Sequence, residues 1–120
     1  MSQLTAHFTP SEFECKCGCG KLIIDEDFVK QLELARMFTD VPFEITSGYR
    51  CKEHNEEVGG VADSAHTKGK AADIKAIGSV TRYSILEAVI VRGFKRIGIG
   101  KTFIHVDTDT SKSAKVMWLY

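Results

Sequence analysis

Between Asp25 and about Thr39 the apolar residues Phe28, Leu32, Ala35 and Phe38 recur at spacings of three and four, while Glu26, Lys30, Glu33 and Arg36 occupy other positions of the wheel. That pattern predicts a helix with one buried stripe, closed by Pro42. Phe43-Glu44-Ile45-Thr46 then alternates like a strand with one face covered. A second helical pattern spans about Val80 to Arg92, with Ile85, Leu86, Val89 and Ile90 on one side and Gly93 as its stop. Beyond it, segments 96–100, 102–107 and 115–119 are rich in β-branched and aromatic residues and read as strands of one antiparallel sheet. Upstream, Thr9-Pro10-Ser11-Glu12 joins a capping Thr, a proline at the first helical position and an acid three residues after the cap. This starts a short helix, with Phe8 and Phe13 as apolar anchors. Helices early and midway, with strands late, predict an α+β fold in which helices pack on one face of a small antiparallel sheet.

A length of 120 residues suits a single domain over 1–120, and 43% hydrophobic with 27% charged residues is an ordinary globular composition. Sixteen basic residues balance sixteen acidic ones. No overall field therefore favours nucleic acid or an acidic membrane. No run approaches the ~20 apolar residues of a membrane span, and Met1 to His7 lack a basic start followed by an apolar stretch. The expectation is a monomer made in the cytoplasm without its own export signal, not inserted in a membrane and not bound to nucleic acid.

Three of the four cysteines crowd into Cys15-Lys16-Cys17-Gly18-Cys19, and the fourth is Cys51. Four cysteines allow three full disulfide pairings, but such a run also supplies thiolates to a metal, and a cytoplasmic origin favours free or metal-bound thiols. Spacing alone leaves these three states open.

The densest polar region holds Ser47 to Asn55, Val58 to Val61 and Ser64 to Asp73, with Gly48, Gly59, Gly60 and Gly69 loosening its backbone. Within it His66 and Asp73 offer an imidazole and a carboxylate, and His105 adds a third donor from a predicted strand. A catalytic zinc site commonly takes three such ligands and leaves the fourth position to water, whose pKa the metal brings to about 7.

The elements Ser47-Gly48-Tyr49-Arg50, His54-Asn55, Val58-Gly59-Gly60, Ser64-x-His66-x-x-Gly69-x-Ala71-x-Asp73 and Ile104-His105-Val106-Asp107 together resemble the peptidase M15 family of zinc D-Ala-D-Ala carboxypeptidases and related phage endolysins, and within it the subfamily A type. The leading Phe8-x-x-x-Glu12-Phe13 and Cys-x-Cys-Gly-Cys-Gly stretch is similar to the amino-terminal part of one subgroup. The resemblance implies a hedgehog/D-Ala-D-Ala peptidase-like fold, Zn2+ held by His66, Asp73 and His105, and hydrolysis of peptide bonds in peptidoglycan stem peptides. It further implies that Arg50 sits beside the scissile carbonyl and that Ser64 helps to hold the substrate carboxylate. Carboxypeptidase and endopeptidase activity fit it equally. Small size without a signal points to a phage or prophage protein acting on the cell wall or periplasm, delivered by a holin-like pore.

The chain departs from the family pattern where many members carry a glutamate three residues before the last zinc His, because that position is Thr102. Asp107 follows His105 by two and leaves a strand on the same face, so it is expected either to take a proton from the attacking water or to orient the ligand imidazole. Two other functions compete with the peptidase. One is a non-catalytic zinc-binding module on the same fold. The other is a cysteine zinc ribbon for nucleic acid, disfavoured by the tight C-x-C-x-C spacing and the lack of a basic, aromatic-rich face. Glu53, His54, Asp63 and Asp109 read as solvated surface or loop residues, and Trp118 and Tyr120 as cover for the core or the sheet edge.

Overall fold

The structure, a computed structural model, describes residues 4–120; the stretch read for an export signal begins outside them, at Met1. Helix α1 (Glu26–Phe38) opens where the Asp25 carboxylate accepts the Phe28 N–H at 3.3 Å, and its stripe of Phe28, Val29, Leu32 and Ala35 is buried. Helix α3 (Ser79–Val91) buries Ile85, Ala88 and Val89, and the chain leaves it through Gly93 at φ 83°. Between them lies a short helix α2 (Lys52–Glu57), absent from the periodicity reading because six residues carry too little pattern. Near the amino terminus Pro10–Glu12 forms one 3-10 turn, with the Glu12 carboxylate accepting the Thr9 N–H at 2.7 Å. Its anchors Phe8 and Phe13 are buried edge to face, 5.7 Å between ring centroids.

Among the described residues five strands form one sheet: β1 (Ile45–Ser47), β2 (Ala71–Lys75), β3 (Arg96–Ile99), β4 (Phe103–Asp107) and β5 (Val116–Leu119), in the order β1-β2-β4-β3-β5. The first three pairings are antiparallel, but β5 lies parallel to β3, so the sheet is mixed where the sequence predicted an antiparallel one. The cause is the route of the chain. Asp107 ends β4 opposite Arg96, and the chain then passes the start of β3 to its free edge, where Val116 pairs with Arg96. From there β5 can only run with β3.

Alternation along the strands separates two faces. Ala72, Ile74, Ile97, Ile104 and Val106 point into the core shared with Phe28, Leu32, Ile85 and Val89. On the other face the register sets Asp73, His105, Gly98 and Trp118 side by side across β2, β4, β3 and β5. The core therefore serves as a stiff backing for this polar row. Among the described residues no helix is long and apolar enough to cross a membrane.

Candidate metal centre

His66 stands on a 3-10 turn, Ala65–Lys68, capped by the Ser64 hydroxyl, which accepts the His66 N–H at 3.2 Å. Gly69 ends the turn at φ 72°, and a side chain there would meet the Ile23 carbonyl oxygen at 2.3 Å, so only glycine fits. The His66 ring is 2% exposed, and its Nδ1 lies 2.7 Å from the Gly48 carbonyl. A carbonyl only accepts, so Nδ1 carries a proton and Nε2 is the ring atom that turns to the cleft floor. Nε2 faces Asp73 Oδ1 at 3.3 Å. A proton on Nε2 or a metal ion in its place would join the two atoms.

From β4, His105 Nδ1 lies 2.9 Å from the same Asp73 Oδ1, while its Nε2 lies 2.7 Å from Asp107 Oδ2. One donor atom from each of His66, Asp73 and His105 thus falls within 4.8 Å of the others. Tetrahedral zinc with bonds of about 2.0–2.2 Å sets its ligand atoms about 3.3–3.6 Å apart. The donor types fit such an ion; the 3.3 Å from His66 Nε2 to Asp73 Oδ1 falls in that range, and the 2.9 Å from His105 Nδ1 would open by a few tenths of an ångström to admit it.

Charge in the cluster is mutually arranged. Burial pushes the Asp73 carboxyl up, but its contacts with His105 and His66 outweigh it and hold the group well below the usual carboxylate range. For His105 burial disfavours the charged ring, yet its bonds to Asp107 and Asp73 leave it above the ordinary imidazole value. Burial also raises Asp107, which is 2% exposed, but the His105 contact, the Asp109 N–H and the Arg96 charge together bring it below its ordinary value. Its Oδ1 accepts from Arg96 Nε at 2.8 Å and from the Asp109 N–H at 3.1 Å.

The cluster floors an open cleft of about 570 Å³, walled by Arg50, Val61, Ser64, Arg96, Trp118 and Tyr120 among others. Arg50 reaches it from the loop after β1, anchored by its own N–H on the His66 carbonyl at 3.1 Å. Its Nε is buried without a hydrogen-bond partner among the described residues. Burial disfavours its charge, and Asp73 opposes that effect. Such a donor is poised for an anionic group entering the cleft. The Ser64 hydroxyl caps the turn with one lone pair and keeps its own O–H to donate. Thr102, where the family glutamate is expected, is exposed and lies outside the cleft lining.

Three residues read as surface or cover lie elsewhere. Trp118 and Tyr120 do not cap the core: their rings stand 5.5 and 6.4 Å from the His105 ring and form one wall of the cleft. Gly98 makes this possible, since a Cβ there would come within 2.6 Å of the Tyr120 ring and 2.7 Å of Trp118 Nε1. Asp109 is not solvated but 4% exposed, paired with Lys68 Nζ at 2.8 Å. Glu53 and Asp63 are exposed, and His54 stands outside the cleft lining. Arg96 escaped the sequence reading altogether. Its guanidinium grips Asp107 and lies 5.0 Å over the Trp118 ring, a placement that follows from the Arg96–Asp107 register of β3 and β4.

An open α+β sheet presenting two imidazoles and a carboxylate on the floor of a polar cleft defines a candidate metallopeptidase centre. Residues 6–107 match the family Peptidase M15, and the chain belongs to that family. No curated protein matches the chain.

Proposed function

We propose that the chain is a zinc-dependent peptidase that hydrolyses peptide bonds in the stem peptides of bacterial peptidoglycan, with His66, Asp73 and His105 as the zinc ligands. The observation that carries this reading is the convergence of one donor atom each from His66, Asp73 and His105 on the floor of the cleft, with the His66 ring held by its Nδ1–H on the Gly48 carbonyl so that Nε2 turns to Asp73 Oδ1. Zinc in that place supplies a water of lowered pKa and polarises a carbonyl. Arg50 binds and orients the substrate, since its unpaired Nε can donate to the scissile carbonyl as charge gathers on its oxygen. Ser64, in the cleft wall, donates its hydroxyl to the substrate carboxylate.

Asp107 acts on His105. Its Oδ2 receives the Nε2–H at 2.7 Å, which leaves Nδ1 as the ring's ligand atom and fixes the plane of the imidazole. Arg96 and the Asp109 N–H hold the carboxylate in that role from its other oxygen. Trp118 and Tyr120 exclude water along one side and offer flat apolar area to a short peptide.

Digestion of purified peptidoglycan followed by mass spectrometry of the new termini tests the reading and identifies the bond. Cleavage abolished by chelation and restored by Zn2+ supports it. Stoichiometric zinc without any cleavage would instead leave a metal-binding module on a peptidase scaffold, the outcome that Thr102 in place of the family glutamate favours.

A further inference from the structure

The four cysteines lie outside the cleft just described, yet one Sγ from each of Cys15, Cys17, Cys19 and Cys51 falls within 4.8 Å of the other three. Cys15 Sγ is 3.4 Å from Cys17 Sγ and 3.6 Å from Cys51 Sγ, and Cys17 Sγ is 3.7 Å from Cys51 Sγ. All four are unbonded to one another. A tetrahedral zinc with Zn–S bonds of about 2.3 Å sets its sulfurs about 3.75 Å apart. The cluster is thus already near the size of the ion's coordination shell.

The local chain is built for this convergence. An extended C-x-C step would separate alternate thiols by about 6.6 Å. Instead Gly18 and Gly20, at φ 86° and 74°, curl the segment, and the Cys15 N–H closes the loop on the Lys21 carbonyl at 3.2 Å. Two backbone N–H groups point at sulfur: that of Cys51 lies 3.4 Å from Cys15 Sγ, and that of His54 lies 3.4 Å from Cys51 Sγ. Donors aimed at sulfur suit a thiolate held by a metal better than a neutral thiol.

We infer that Cys15, Cys17, Cys19 and Cys51 form a second metal site, a closed four-thiolate zinc site with a structural role. Four protein ligands leave no position for water, so the site takes no part in hydrolysis. On loading, the four thiols release their protons to solvent and no redox change occurs. The ion clamps the amino-terminal loop to Cys51, the capping residue of α2 and the neighbour of Arg50. It therefore braces the segment that carries Arg50 into the cleft.

The test is metal counting on the full chain purified under reducing conditions with Zn2+ supplied. Wild type is expected to hold two zinc ions, and His66→Ala with His105→Ala one, which separates this site from the catalytic one. Cys17→Ser with Cys19→Ser, at the two exposed positions, is expected to lose one ion and keep the other. Cobalt loading of the His66→Ala/His105→Ala protein should produce an intense thiolate-to-cobalt charge-transfer band. That measurement needs no cysteine variant to fold. Four thiols that react at once with a disulfide reagent in zinc-loaded protein, or two disulfides and no second ion in the intact mass, would overturn the inference.

Discussion

His105 and Asp107 leave β4 on the same face and meet through Nε2 and Oδ2 at 2.7 Å, so the strand's own period of two brings carboxylate and imidazole together. If that pair serves to orient the ring, Asp107→Asn weakens zinc affinity by about 10–100-fold. Competition with a calibrated chelator measures it. Unchanged zinc affinity with most of the turnover gone would return Asp107 to the role of proton acceptor.

Removing ligands tests the floor of the cleft itself. His66→Ala combined with His105→Ala should abolish hydrolysis and leave the site empty of zinc, read by metal analysis with the cysteine-bound ion counted separately. Zinc that stays at the cleft in this variant would refute the ligand assignment.

Arg50→Lys should keep the fold and the zinc but lower turnover about 100–1000-fold, since an ammonium lacks the planar donors that stabilise a developing oxyanion. Among the described residues its Nε makes no hydrogen bond that the variant would lose. Thermal unfolding should therefore hardly move, and wild-type turnover in the variant would place Arg50 outside the chemistry.

Gly98→Ala would force a methyl group against the Tyr120 and Trp118 rings. Displacing them costs about 1–3 kcal/mol of stability. The larger effect should fall on KM, because the wall of the cleft moves while its metal floor stays. Steady-state kinetics on a soluble stem peptide separates the two.

Asp109 gives a pH-dependent test. Burial raises its carboxyl, but the bonds from Lys68 and Ser111 outweigh that and hold it at about 2 against an ordinary 3.8. A lowered folded-state pKa contributes stability above pH 3.8 that is lost as pH falls towards 2. Wild type should thus exceed Asp109→Asn in stability at neutral pH, with the gap closing across that window in denaturant titrations. A gap that is the same at every pH would show that the ion pair with Lys68 contributes nothing.

Both long helices were legible in the sequence because thirteen residues repeat the 3.6-residue period several times. The ligand trio was legible only through chemistry and resemblance, since His66 and Asp73 sit on a 3-10 turn and a strand with no shared local pattern. Strand β2 went unread because Ala71-Ala72-Asp73 has little β propensity; pairing with β1 and β4 on its two sides makes it a strand. The same reasoning covers Arg96, Trp118 and Tyr120. Each reaches the cleft by cross-strand register, which no window of neighbouring residues encodes. The parallel course of β5 likewise depends on where the 108–115 connection crosses, not on the residues of the strand.

That parallel strand has a practical consequence. Residues 108–120 lie beyond the family match, yet they supply Trp118 and Tyr120 through β5, which is held to the sheet along β3 alone. The three candidate metal ligands therefore lie within the matched stretch, with Arg50 and Ser64, while the aromatic wall of the cleft lies beyond it. If the cleft binds a peptide as proposed, exchanging the final strand would recast its aromatic wall while leaving His66, Asp73 and His105 in place.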